Sequence, residues 1–287
     1  ESRRGDETGV GEDAGGVEEQ QEQVSQDSDG LKFSRGQTLP DTESSFDATA
    51  KENGGSRVYN QMKLMGDTEL SYEQWVQVRT PEFKQWFGDW ENDPAKASKV
   101  LNPKTGEPLI VYHGTESDFN TFSHDFMGSN GTVDGQGFYF TDDANFAGIY
   151  QQGKGRLIQG FLNIRNPLSA EKQTLTRANI KAALKKLDKD GSGFLSNYGD
   201  VDYDGYNSVL QEAADSVWQG SDNDVELVGG LINAGENVDA VYRALEAVKG
   251  ASGMIVPKDD GSKHYVVGRS NQIKSATGNS GAFDAGS

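Results

Sequence analysis

The chain has 287 residues and 34% apolar content, enough for a hydrophobic core over part of its length but not all of it. The absence of cysteine excludes disulfides, thiolate metal sites and a cysteine nucleophile, and leaves the redox compartment open. The net charge of −18 is shared evenly: residues 1–55 carry 14 acidic against 5 basic side chains and the remainder 31 against 22, so neither part has the basic footprint that a nucleic-acid backbone demands.

No run reaches the ~18 apolar residues of a spanning helix, and the N-terminus lacks the basic and apolar regions of a signal peptide. A soluble protein with no membrane partner is the expectation, and a chain starting at Glu1 reads as a piece of a longer polypeptide. Residues 1–55, rich in Gly, Ser, Gln and Glu and lacking Trp and Tyr, predict a disordered acidic tail that cannot bury enough apolar surface to offset chain entropy.

Residues 56–80 read as a helical lead-in, in which Ser71 and Gln74 form a capping box ahead of Trp75, Val76 and Val78. Thr80-Pro81 then caps a helix that presents Phe83, Trp86 and Phe87 and stops at Gly88. After the turn Lys104 to Glu107, a β-rich run from Pro108 to Tyr112 ends on His113-Gly114-Thr115. A glycine-rich loop from Gly128 leads into a strand over Gly137 to Thr141, and Asp142-Asp143 caps a helix through Ala144, Phe146, Ala147 and Tyr150. A further strand covers Gly160 to Ile164.

The stretch 171–250 changes character, with helical spacing over Thr176 to Leu187, Tyr206 to Trp218, Val225 to Asn233 and Val238 to Lys249. Strands return at Gly253 to Val256 and His264 to Val267. Strands, a helical middle and strands again make an α+β core with a helical insertion, not a doubly wound sheet.

Three elements carry chemistry. His113 at a strand end can hydrogen-bond a ligand hydroxyl, and Gly114 lets a ligand approach the backbone; alone, such a pair is more often structural. Tyr139 and Tyr150, eleven residues apart on a strand and the helix it feeds, can flank a flat aromatic ligand or simply fill a core. The third is the run from Gly261 through His264-Tyr265-Val266-Val267 to Asn271-Gln272-Ile273-Lys274-Ser275-Ala276.

In this order, Tyr-His-Gly-Thr, then Gly-Phe-Tyr-Phe-Thr with a tyrosine eleven later, then the strand closing on Asn-Gln-Ile-Lys-Ser-Ala-Thr-Gly-Asn, the chain resembles the ADP-ribosyltransferases of the diphtheria-toxin and poly(ADP-ribose) polymerase type. It is most similar to those in the polyvalent proteins of phages and mobile elements. The likeness spans about residues 81–285, with 171–250 covered loosely, and a single domain over 81–287 is the expectation. It implies a split, mixed β-sheet core and NAD⁺ as substrate, with no metal.

It also implies roles. His113 would hold the nicotinamide ribose, Gly114 the carboxamide, and Tyr139 and Tyr150 the nicotinamide ring, with Thr115, Phe140 and Thr141 in the same pocket. At the third catalytic position, where polymerase-type relatives place a glutamate, stands His264; a neutral imidazole can act as a base but offers no full negative charge to an oxocarbenium ion. Gln272, Asp259 and Asp260 are the fallback candidates, and Phe146 replaces a lysine of some polymerases. The expectation is a mono-ADP-ribosyltransferase, a bacterial or phage effector or toxin, acting in a bacterial cytoplasm or delivered into a target cell. Its unknown macromolecular acceptor is expected to be protein before nucleic acid. The alternative is a catalytically silent NAD-binding or partner-binding module.

A separate pattern lies in the helical middle. Asp188, Asp190 and Ser192, and again Asp200, Asp202 and Asp204, match the first positions of a calcium loop, but the twelfth positions are Gly199 and Gln211 rather than a bidentate glutamate. Calcium loops and Asx-rich turns are both open readings.

Overall fold

The computed structural model describes residues 42–116, 122, 136–151, 155–189, 203–235 and 237–277. It opens with α1 (Thr42–Glu52), α2 (Gly55–Met65), α3 (Tyr72–Gln77) and α4 (Pro81–Phe87). Helix α1 falls inside the stretch expected to be disordered. Phe46 and Ala50, one turn apart on this helix, join the apolar cluster of Trp75 and Val76. That local burial offsets the ordering cost that composition averaged over the whole tail hides.

Helix starts follow the chemistry of the sequence. Ser71 accepts from the Gln74 N–H while the Gln74 side chain accepts from Ser71 N–H, and Thr80 accepts from Phe83 N–H with Pro81 in the first turn. Arg79 then ties these helices to the turn before the first strand. Its guanidinium lies 4.3 Å from the Trp75 ring centroid and 5.1 Å from that of Trp90, and it bonds Glu107 at 2.8 Å.

The sheet strands are β1 (Val111–Thr115), β2 (Phe138–Thr141), β3 (Arg156–Leu162), β4 (Met254–Pro257), β5 (Lys263–Val267) and β6 (Ile273–Ser275). Among the described residues they form one sheet in the order β4-β5-β2-β1-β3-β6. The expected α+β core is present. Every strand pairing is antiparallel, and the parallel character implied by the resemblance is confined to an isolated bridge between Leu168 and Met254.

Between β3 and β4 run α6 (Arg177–Lys189), α7 (Tyr203–Gln219), α8 (Asp224–Gly235) and α9 (Val238–Lys249), preceded in the chain by the short α5 (Ala144–Gly148) after β2. This insertion carries the chain from one side of the sheet to the other. Its buried face packs with Met254, Val256 and Val266, and Tyr139 joins that cluster. The lead-in helices pack instead with Phe161 and Ala276, while Val111, Phe138, Phe140, Tyr265 and Val267 build a third cluster.

Asp188, near the end of α6, accepts a hydrogen bond from the Tyr206 hydroxyl at 3.1 Å. Asp190, Ser192, Asp200 and Asp202 lie outside the described residues, as does the side chain of Asp204. Among the described residues no group of three or more His, Cys, Asp or Glu is arranged to hold a metal ion. No described helix is long and apolar enough to cross a membrane.

The insertion is pinned by Asp224, which is fully buried. Its carboxylate accepts from the backbone N–H groups of Ser169 (3.0 Å), Thr174 (2.6 Å) and Leu175 (2.9 Å) and from the Thr174 hydroxyl (2.5 Å). Asp224→Ala strands these donors without water. The expected cost is about 3 kcal/mol, read as a lowered midpoint in urea unfolding.

Candidate active site

Strands β1 and β2 meet at one register pair, Tyr112 opposite Thr141, and each is fully paired on its other side. Where the two strands part, the His113 side chain takes over. Its Nδ1 bonds the Tyr139 carbonyl at 2.6 Å. A carbonyl oxygen only accepts, so Nδ1 carries the proton of the neutral ring and Nε2 its lone pair. Burial holds the His113 pKa below the usual histidine value, and the bond to Tyr139 offsets this only in part.

Side chains alternate along strands and residues paired across an antiparallel ladder share a face, so the registers sort the candidates. Gly114, Tyr139, Thr141 and His264 fall on one face, with Thr141 directly opposite His264 and Tyr139 opposite Val266. His113, Thr115 and Phe140 fall on the other. Ring contacts agree: the His113 centroid lies 5.4 Å from that of Phe140 and 5.2 Å from that of Phe122. Phe140, expected in the pocket, is only 2% exposed and belongs to the core that supports His113.

Helix α5 covers the first face. Asp143 caps it, accepting from the Asn145 and Phe146 N–H groups at 2.8 and 3.2 Å. Of the acidic doublet, only Asp143 caps. The helix closes at Gly148, so Tyr150 lies just beyond it, its N–H donated to the Ala147 carbonyl at 3.1 Å and its side chain exposed. Phe146 brings its ring centroid within 5.1 Å of His264 and 5.6 Å of Tyr150. The face thus carries an imidazole and two α5-side rings beside Tyr139.

Gly114 is required by this arrangement for a reason other than the one expected. A Cβ there would stand 1.8 Å from the Ala147 carbonyl oxygen and 3.1 Å from the Tyr150 Cβ, so the missing side chain makes room for α5.

Asp142 was missed because its neighbour explained the doublet. It accepts from the Lys263 N–H at 2.8 Å and the Tyr265 hydroxyl at 3.3 Å, holding β5 on either side of His264. Asp260, one of the fallback acids, is spent on the turn before β5, accepting from the N–H and hydroxyl of Ser262.

Gln272 is not brought to the face. It is buried, its Oε1 accepts from Arg269 N–H, and its Nε2 donates to the Asn163 and Ser252 carbonyls. With both ends of the amide satisfied by backbone, its role is to fasten the start of β6.

The family described as ADP-Ribosyltransferase in polyvalent proteins matches residues 103–283, a range that holds every residue of this face. The chain belongs to that family. No curated protein and no solved structure matches it. The matched range of this ADP-ribosyltransferase begins after α4, yet the helices before it are part of the packing: Gln74 and Gln77 donate to the carbonyls of Ala276 and Ser275, and Trp86 to that of Asn271.

Two outcomes follow. Gly114→Ala forces α5 away from the sheet, and the expected result is a lowered melting temperature together with lost near-ultraviolet dichroism from the tyrosines of this face. Because the folded-state pKa of His113 lies below the ~6.5 of an unfolded histidine, the unfolded chain takes up a proton that the folded chain refuses as the pH falls. Wild-type stability should therefore drop from pH 7 toward pH 5 relative to His113→Gln, in parallel urea titrations.

Proposed function

We propose that this domain is a mono-ADP-ribosyltransferase that breaks the bond between nicotinamide and ribose in NAD⁺ and hands ADP-ribose to a macromolecular acceptor. The observation that carries this reading is the shared face of Gly114, Tyr139, Thr141 and His264 under α5, with Tyr150 and Phe146 added by the helix side. Tyrosine rings there suit a flat, cationic nicotinamide, which stacks on them and is oriented by them. His113, at the parting of β1 and β2, supports this site from behind: its ring packs on Phe122 and Phe140, and its Nδ1–H holds the Tyr139 backbone.

Cleavage leaves the electron pair of the broken bond on nicotinamide and develops positive charge on the ribose. Fixing ring and ribose in a strained, oriented pose lowers that barrier. The acceptor then bonds to the ribose carbon and gives up a proton, for which His264 is the base. The position where polymerase-type relatives place a glutamate carries His264, and the nearby carboxylate of Asp142 is engaged with Lys263 and Tyr265. Without a fixed negative charge, transfer of a single unit is favoured over polymer growth. The acidity of the chain favours a protein acceptor over a nucleic acid, and the family's setting in polyvalent proteins fits an effector of a phage or mobile element.

The same missing carboxylate favours a second reading, a module that binds NAD⁺ without cleaving it. Mass spectrometry of an extract incubated with the protein and NAD⁺ separates the two. An ADP-ribose adduct and released nicotinamide support the transferase; intact bound NAD⁺ with no adduct supports the silent module. In either case Tyr139→Ala should abolish NAD⁺ binding, and unchanged binding in that variant removes the pocket assignment.

A further inference from the structure

We infer that Tyr242, carried by the helical insertion, is a positioning residue for Tyr139: its buried phenol fixes both strands that hold Tyr139 and so sets how that ring is presented to nicotinamide. The inference rests on the nicotinamide site proposed above. Tyr242 lies on α9 and is 2% exposed. Its hydroxyl donates to the carbonyl of Gln136 at 3.0 Å, three residues ahead of Tyr139 and 106 residues away in sequence. The bond therefore ends at the entrance to β2, not within the helical layer.

The ring of the same residue grips the neighbouring strand. Gly268 directly follows β5, and a Cβ placed on it would come within 1.9 Å of the Tyr242 ring. Only a glycine lets the phenol lie this close to the backbone leaving β5. Val266 and Val267, just before it, are paired with Tyr139 and Phe138. Tyr242 thus touches the start of β2 through oxygen and the end of β5 through carbon, clamping one end of the antiparallel ladder, and Tyr139 lies one pair further in from that end. Tyr139 also packs on the same apolar cluster as Tyr242.

A purely space-filling role would not call for the hydroxyl. A phenylalanine fills the same volume, whereas a buried O–H is costly unless its bond is made. Burial, with a smaller contribution from the nearby Tyr139 phenol, pushes the Tyr242 hydroxyl far above its ordinary pKa, so it stays a donor throughout the working pH range. The insertion, four helices with no other described side chain assigned to the chemistry, acquires a function through this one contact.

The test uses the full chain and the variant Tyr242→Phe, which keeps the ring and removes the donor. Affinities for nicotinamide and for ADP-ribose are measured separately by calorimetry, well below the melting temperature. Tyr139→Ala serves as the site reference. Thr80→Ala, which removes the cap of α4 in a different cluster, serves as a control for lost stability alone. The expected result is that Tyr242→Phe weakens nicotinamide binding about fivefold, the worth of one hydrogen bond, while ADP-ribose binding stays within about twofold. Thr80→Ala should change neither.

Unchanged nicotinamide affinity in Tyr242→Phe, with Tyr139→Ala abolishing it, would overturn the positioning role and leave the site intact. Equal weakening of both ligands would also overturn it, since a general loosening is not a nicotinamide-specific effect. Unchanged binding in Tyr139→Ala would bring down the nicotinamide site itself, and the inference with it.

Discussion

The structure turns on the place where β1 and β2 stop pairing. A sheet that parts leaves backbone groups without partners, and an unpaired buried carbonyl is expensive. Here the His113 imidazole takes the Tyr139 carbonyl in place of a backbone N–H. The substitution allows a crevice inside an otherwise continuous sheet and keeps β2 in a fixed position beside it. The same bond sets the tautomer of His113, so which ring nitrogen carries the proton is defined by the fold.

The helices are distributed around this opening. The lead-in helices cover β3 and β6, the insertion covers β4, β5 and the Tyr139 side of β2, and α5 lies against Gly114 between them. Each group is held by one unusual contact. Arg79 between Trp75 and Trp90 anchors the first, Asp224 the second, and the bare Cα of Gly114 the third. Stability and site geometry therefore share residues, and few positions near the crevice can change without altering both.

Much of this was legible in the sequence, for identifiable reasons. Caps are written in short local codes, so Ser71, Thr80, Asp143 and the Val238–Lys249 helix could be placed from their own neighbours. The order of His113, Tyr139, Tyr150 and the run closing on Asn271-Gln272-Ile273 pointed to the family because the spacing between a strand and its following helix is also local. What was not legible depends on register. Nothing within a strand tells that His113 and Phe140 face away from Tyr139, since that follows from pairing Tyr112 with Thr141. Gln272 looked available because its three backbone partners lie up to 109 residues away. Asp142 was hidden by the capping role of its neighbour, and α1 by the composition around it.

The route of the chain through the sheet has a consequence for synthesis. Strand β2 leaves its neighbour β1 almost at once, and its full partner is β5, so that Asp142 must wait for the Lys263 N–H 121 residues downstream. At the ~5–20 residues per second of a translating ribosome, that interval lasts on the order of ten seconds, during which α6 to α9 emerge first. The Tyr139 edge therefore becomes a finished surface only after the insertion and β5 have been made. By this ordering, the face that joins Tyr139 to His264 stays incomplete on the nascent chain until five of the six described strands have been made.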